Sequence, residues 1–245
     1  MSYDGPMGPV DSMDVTLDDQ VIPDGADVPI ERLRWSYDGV ASAYSNDLAE
    51  EILAKPIERG MLLAFAELVR ARGPGTVGDV GCGPGHIAKH LSAHGLTTHG
   101  IDISSAMIAE ARHKFPEGTF EIASMFDLPV ARGAWRGAVA RYATLHYAAA
   151  ERARALRELA RVIEPGGYLL HGFYVSAPEH PPGSMYHLDT WFGQPVDLDV
   201  HFVGVEQGAE ELDQWEFDVE AALVREPMSK TELPTRRCYM LARRR

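Results

Sequence analysis

The chain reads as a doubly wound α/β protein, with a mostly parallel seven-stranded sheet and a helical segment ahead of it. Three observations predict this. Short apolar strands alternate with helical stretches from residue 76 to residue 173, the pattern of parallel strands joined by crossover helices on both faces. A glycine-rich stretch, Val77-Gly78-Asp79-Val80-Gly81-Cys82-Gly83-Pro84-Gly85-His86, links the first strand to the helix after it. Two more strand-like segments, 217–225 and 237–242, close the chain.

The elements follow in order. Residues 1–29 are rich in Gly, Pro and Asp with little periodicity, and read as a flexible arm. Residues 30–245 read as a single domain, with 30–72 a helical cap. There Leu33, Tyr37, Val40, Ala41 and Tyr44 recur at helical spacing. A second helical stretch spans 48–69, interrupted near Pro56, and Gly73-Pro74-Gly75 punctuates its end. Strands are predicted over 76–80, 97–101, 119–123, 137–142 and 168–173. Helices are predicted over 86–94, over 104–114 with Ser104 as N-cap, and over 151–163. In the last of these Ala155, Leu156, Leu159, Val162 and Ile163 share one face, and Pro165-Gly166-Gly167 ends it. Residues 176–204 are rich in Pro, Gly, His and aromatic residues and long for a plain connection, so they are expected to form a lid over the substrate. Residues 206–214 suit a last helix.

Composition narrows the function. With 245 residues, the chain suits one α/β unit. A net charge of −13 argues against nucleic-acid binding, which needs a positive face, and the Arg243-Arg244-Arg245 tail reads as a solvated terminus. No apolar run approaches the ~18 residues of a membrane span. The first residues lack the basic start and apolar core of a secretory signal, so a cytoplasmic protein is expected. Cys82 and Cys238 suggest neither a disulfide nor a zinc cluster, and His180, His187 and Asp189 match no metal-ligand spacing. No metal is expected.

In the glycine loop, Gly81, Gly83 and Gly85 allow a sharp turn and let a ligand lie against bare main chain. The nicotinamide fingerprint has its third glycine at the sixth position, which here is His86. Gly100-Ile101-Asp102-Ile103 follows about 20 residues later, where an acid can accept two ribose hydroxyls.

With these features the sequence resembles the class I S-adenosylmethionine-dependent methyltransferases, in particular small-molecule enzymes of actinobacterial type. The resemblance runs from about Tyr37 to Arg243. It is carried by Tyr37-Asp38-Gly39-Val40-Ala41-Ser42-Ala43-Tyr44, by the glycine loop, and by Gly100-Ile101-Asp102-Ile103-Ser104. Ser124-Met125-Phe126-Asp127-Leu128-Pro129 and the stretch from Leu156 to Gly167 complete it. It implies a Rossmann-like methyltransferase fold and S-adenosylmethionine as cofactor, with S-adenosylhomocysteine as product. It further implies that Gly81, Gly83 and Gly85, in the loop with Asp79 and Cys82, pass beside the methionyl part and ribose. Asp102 would hold the ribose and Ile103 flank the adenine. Ser124, Met125 and Phe126 stand where the family meets the adenine edge and commonly has Gly-Asp; the thioether of Met125 suits packing on the ring. Met107 is a second apolar wall or a core residue.

Ligands of open α/β sheets bind at the carboxyl ends of strands. Arg141 and Tyr142 are therefore expected to face the methyl donor, with Arg141 taking a carboxylate of cofactor or substrate. A hydroxyl acceptor must lose its proton, and histidine suits that task. His146 and His171 are the candidates, His171 alternatively being a satisfied core histidine, and Tyr142 and Tyr174 could position the acceptor. Tyr37 and Tyr44 fall on one helical face, and their helix is expected to cover the cofactor. Both covers are expected to be mobile without ligand. The helix should respond to the cofactor alone and the 176–204 segment mainly to the acceptor.

The expected reaction is methyl transfer to oxygen or nitrogen of a metabolite or natural-product intermediate, by a monomer or homodimer. A cyclase or isomerase using S-adenosylmethionine as a bound cofactor is the alternative, since fold does not fix reaction. A nicotinamide oxidoreductase is disfavoured by the displaced glycine.

Overall fold

The computed structural model describes residues 28–48, 51–229 and 232–245. The arm expected over residues 1–29 lies outside them, apart from its last two residues, which open the first helix.

That helix is α1 (Val28–Leu48). A 3-10 turn at Glu51–Ala54 leads to α2 (Pro56–Ala71), whose proline stands where a helix needs no N–H donor. The alternation then runs β1 (Thr76–Val80), α3 (His86–Ala93), β2 (Thr97–Asp102), α4 (Ser105–Lys114), β3 (Thr119–Ile122), β4 (Trp135–Arg141), α5 (Ala149–Val162) and β5 (Ile163–Ser176). A hairpin follows, β6 (Met185–Trp191) and β7 (Gln194–His201), then α6 (Val205–Gln214), β8 (Phe217–Arg225) and β9 (Arg236–Arg244).

The main sheet has seven strands in the order β3-β2-β1-β4-β5-β9-β8. The first five strands are parallel, and β9 runs antiparallel to both β5 and β8. Strand order reverses between β1 and β4, so a crevice opens there at the strands' carboxyl ends. Because β9 runs the other way, its first residues arrive at that same edge.

Side chains alternate between the two faces. Val139, Leu170 and Leu241 pack under α2 and α3, against Phe65, Val69 and Leu91. Ala138, Ala140, Leu169 and Met240 pack on the other side with Leu156 and Leu159 of α5 and Leu212 of α6. Both faces are covered, as a parallel sheet requires.

Two expectations need correction. Pro165-Gly166-Gly167 does not separate the fifth helix from the fifth strand. The backbone of Ile163 is already extended at the helix end. The pairing of β4 with β5 jumps from Trp135↔Ile163 to Gly137↔Tyr168, so residues 164–167 form a bulge inside β5.

The segment 176–204 is not an irregular loop, since most of it is the β6–β7 hairpin. Its turn is Phe192-Gly193, both with positive φ, 51° and 70°. Two such residues make the tight turn that matches strand twist. A phenylalanine is an unusual occupant of that position, which hid the turn in the sequence. Val196 and Leu198 of β7 are buried against Leu33 and Val40 of α1.

Candidate active site

A cavity of about 530 Å³ follows the carboxyl edge of the sheet, roofed by α1 and the hairpin. Its two ends have different chemistry.

At the first end, β1 runs into the glycine loop. Gly81 and Gly83 have φ of 69° and 51°, in the left-handed region. A Cβ at Gly81 would meet the Ala143 side chain at 2.5 Å, whereas at Gly83 the nearest atom would be on the Tyr44 ring at 3.7 Å. The loop therefore packs tightly against the start of the next crossover and leaves bare backbone toward the cavity. Asp102, at the end of β2, takes one backbone N–H on each carboxylate oxygen, from Gly83 at 2.8 Å and from Ser104 at 2.9 Å. Burial raises its pKa and those bonds oppose the rise. Each oxygen keeps a lone pair for a hydroxyl donor. Ile103 and Met125 supply apolar wall beside it.

The roof is fixed by polar ties. Asp38 of α1 accepts from the Ser104 hydroxyl at 2.6 Å and from the Ala106 N–H at 3.0 Å, at the N-terminus of α4. Arg32 pairs with Asp197 of β7, and Ser36 accepts the Asp197 N–H at 2.8 Å. Tyr37, Tyr44, Trp191 and Phe192 form an edge-to-face and stacked cluster above the loop, with ring centroids 5.1–6.3 Å apart.

Mid-cavity, the Tyr37 hydroxyl lies 2.7 Å from His146 Nε2, and His146 Nδ1 lies 2.8 Å from the Asp199 carbonyl. A carbonyl only accepts, so Nδ1 carries the hydrogen and Nε2 accepts from Tyr37. Burial lowers the imidazole to about 4. The ring is neutral at pH 7, with its basic nitrogen held against the tyrosine.

The other end is charged. Glu58 is buried beside Arg141 and Arg225, with Arg141 Nη2 at 2.8 Å. Burial alone would raise its pKa, but Arg141, Lys55 and Arg225 hold it below the ordinary value. Glu232 is likewise held at about 2, burial being outweighed by Arg225, the Met228 N–H, Arg237 and Lys55. Tyr142, left-handed at φ 59°, turns the chain out of β4 and bonds its hydroxyl to Tyr239. The Tyr174 ring lies under the Arg237 guanidinium at 5.6 Å.

The structure brings Tyr37, Tyr44, Gly81, Gly83, Asp102 and Ile103 to the cavity wall, together with Met125, Arg141, Tyr142 and His146. The other candidates stand behind it. Asp79 is buried and accepts the Ala88 N–H at 2.9 Å at the start of α3; burial raises its carboxyl to about 7. Cys82 packs with Ala88, Ile108 and Phe120. Gly85, in the left-handed region, caps α3. Met107 is fully buried between α1 and β7. The Ser124 hydroxyl accepts the Phe126 N–H at 3.2 Å, and the Phe126 ring meets Tyr147 at 4.9 Å. His171 bonds to Thr144 at 2.8 Å inside the fold, which is the core position weighed for it. Lys55, Glu58, Arg225, Glu232, Thr235 and Arg237 were not legible as site residues. They are scattered along the chain in no motif, and only the packing of α2 against the paired strands β5, β9 and β8 assembles them.

Residues 77–167 match a family model described as a methyltransferase domain. The chain is 27% identical over 150 residues, 61% of each protein, to a demethylmenaquinone methyltransferase of Beutenbergia cavernae. It is 42% identical over 74 residues to a trans-aconitate 2-methyltransferase of Delftia acidovorans, covering 29% of this chain and 26% of that one. Such matches span at most 61% of the curated relatives' length. Among solved structures, a 1,6-didemethyltoxoflavin-N1-methyltransferase of Burkholderia thailandensis shares the fold with a TM-score of 0.66. It is 17% identical and covers 92% of this chain and 93% of that one. Residues 77–167 are thus similar to a methyltransferase domain, and the chain shares its fold with solved S-adenosylmethionine-dependent methyltransferases.

Proposed function

We propose that this protein methylates a small organic acceptor from S-adenosylmethionine, within the cavity between the glycine loop and the β6–β7 hairpin. The observation that carries this reading is the continuity of the cavity, from the bare Gly83 backbone and Asp102 to Tyr142 and His146.

The residues at the first end fit the cofactor. Asp102 has lone pairs for the ribose hydroxyls, the Gly81–Gly83 backbone would lie beside the methionyl chain, and Ile103 and Met125 would supply apolar wall for the adenine. When bound, S-adenosylmethionine supplies an activated sulfonium methyl. The chain's own work is alignment and exclusion of water. Holding the acceptor in line lowers the barrier by up to roughly 7–11 kcal/mol in favourable intramolecular models. The aromatic roof of Tyr37, Tyr44, Trp191 and Phe192 keeps water from the junction.

A hydroxyl acceptor beside Tyr37 passes its proton to the phenol oxygen as the phenol proton moves to His146 Nε2. The Asp199 carbonyl holds the ring in the required tautomer. An amine acceptor needs no such relay.

The cavity, roofed by α1 and the hairpin, supports a small-molecule acceptor. No helix among the described residues is long and apolar enough to cross a membrane. Function as a cytoplasmic monomer or homodimer, without nucleic acid, belongs to the same reading.

Mass spectrometry of reactions with S-adenosylmethionine and an acceptor library tests the proposal. S-adenosylhomocysteine should form in step with a methylated acceptor. Conversion of an acceptor with S-adenosylmethionine left intact would point instead to a cyclase or isomerase.

A further inference from the structure

β9 carries a second recognition feature. Thr235, just ahead of the strand, and Arg237 lie two residues apart, so their side chains share a face. Both border the cavity. Both are buried, 3% and 2% exposed. The Thr235 hydroxyl and Arg237 Nε have no hydrogen-bond partner among the described residues. Buried donors are almost always satisfied, and two orphans side by side on one cavity wall indicate a ligand that completes them.

The surroundings define its charge. Arg237 contacts Glu232 through Nη1 and donates Nη2 to the Leu233 carbonyl at 3.2 Å, leaving the Nε edge over. Glu232 is shared with Arg225 and Lys55, so it does not neutralise Arg237 alone. The Tyr174 ring supports the guanidinium from beneath. A cation in a chain of net charge −13, kept dry at a cavity wall, selects an anion. Beside this charged cluster the cavity wall also carries apolar side chains, Leu233 and Met228 ahead of β9 and Leu188 and Phe202 from the hairpin side.

We infer that Thr235 and Arg237 bind the carboxylate of the acceptor, so that the substrate class is an organic acid with an apolar body. The inference rests on the methyltransferase reading for the word acceptor, and on the orphaned donors for the carboxylate. The strand order separates the two ligands. The glycine loop and Asp102 serve β1 and β2, whereas Thr235 and Arg237 sit beyond β5.

The test uses the full chain loaded with S-adenosylhomocysteine. Cinnamate, phenylacetate and decanoate are each titrated beside their primary amides and followed by saturation-transfer NMR. The acids should bind at least about tenfold more tightly than the amides. Thr235→Val, which keeps the shape, and Arg237→Gln, checked by its melting curve, should each erase about tenfold of that preference and leave S-adenosylhomocysteine affinity unchanged. Equal binding of acids and amides, or no binding of any acid, overturns the inference. Loss of S-adenosylhomocysteine affinity in both variants, with the acid preference intact, also overturns it, because the pair then holds the methionyl carboxylate. If S-adenosylhomocysteine fails to bind the wild type while the acids still need Thr235 and Arg237, the anion site stands and the methyltransferase reading fails.

Discussion

The two ends of the cavity are built in opposite ways. The Asp102 end is made of backbone turns and short local contacts: Gly81, Gly83, Asp102 and Ser104 lie within one strand–helix–strand unit. The Arg237 end is made of long side chains from α2, β4, β8 and β9. The first end is a generic cradle that a short motif encodes. The second is assembled from long charged side chains far apart in sequence, and we propose that specificity belongs there. Substitutions at the first should therefore affect binding of the shared cofactor, and substitutions at the second should change which acceptor is used.

The largest expected effect lies between them. His146→Ala should lower turnover of a hydroxyl acceptor by about 10²–10⁴. Tyr37→Phe should do the same if the proton travels through the phenol, and turnover of an amine acceptor should barely move in either variant. Steady-state rates on both acceptor types check this, and an undiminished rate in His146→Ala removes the relay.

Asp102→Ala comes next. The loss should be on the order of 1–3 kcal/mol in S-adenosylmethionine affinity by calorimetry, because ribose hydroxyls are left without acceptors. Unchanged affinity would place the ribose elsewhere.

The same contrast explains what the sequence revealed. The parallel core was legible because each strand and helix announces itself locally, as in the Ser104 cap and the apolar face from Ala155 to Ile163. The glycine loop and Asp102 were legible for the same reason. The hairpin was not, since Phe192 occupies a backbone conformation that its residue type rarely adopts. Nor was the Glu58–Arg225–Glu232–Arg237 cluster, whose members meet only through tertiary pairing. His171 carried an ambiguous signal. A histidine in an apolar run reads equally as a base or a core residue, and its Thr144 bond lies behind the cavity wall.

Protonation gives a smaller, site-resolved effect. Burial holds His146 and His171 at about 4, against an ordinary value of 6.5. Between pH 6.5 and 4 the unfolded chain takes up protons at these rings that the folded chain refuses. Their contribution is therefore intact above pH 6.5 and is lost as pH falls toward 4. Asp79, raised to about 7 by burial, works in the opposite sense: its folded form holds a proton that the unfolded chain gives up between pH 3.8 and 7. Imidazole NMR separates these groups. The resonances of His146 and His171 should stay at their neutral positions down to about pH 5, and titration of either ring near 6.5 would show that it is not dry.

The smallest effect concerns the roof. Arg32–Asp197, Ser36–Asp197 and Tyr37–His146 tie α1 to the hairpin and to the wall beneath it. Hydrogen exchange should therefore show α1 and the hairpin gaining protection together when S-adenosylhomocysteine binds, rather than α1 alone. Strong protection of both in the ligand-free protein would make them fixed walls and not lids.

The division of the cavity into a cofactor end and an acceptor end is tested most directly by a crystal structure with S-adenosylhomocysteine. The account predicts density for the ribose against both carboxylate oxygens of Asp102 and for the adenine between Ile103 and Met125, with Thr235 and Arg237 left for a second ligand. S-adenosylhomocysteine lying with its carboxylate on Arg237, away from Asp102, would contradict it.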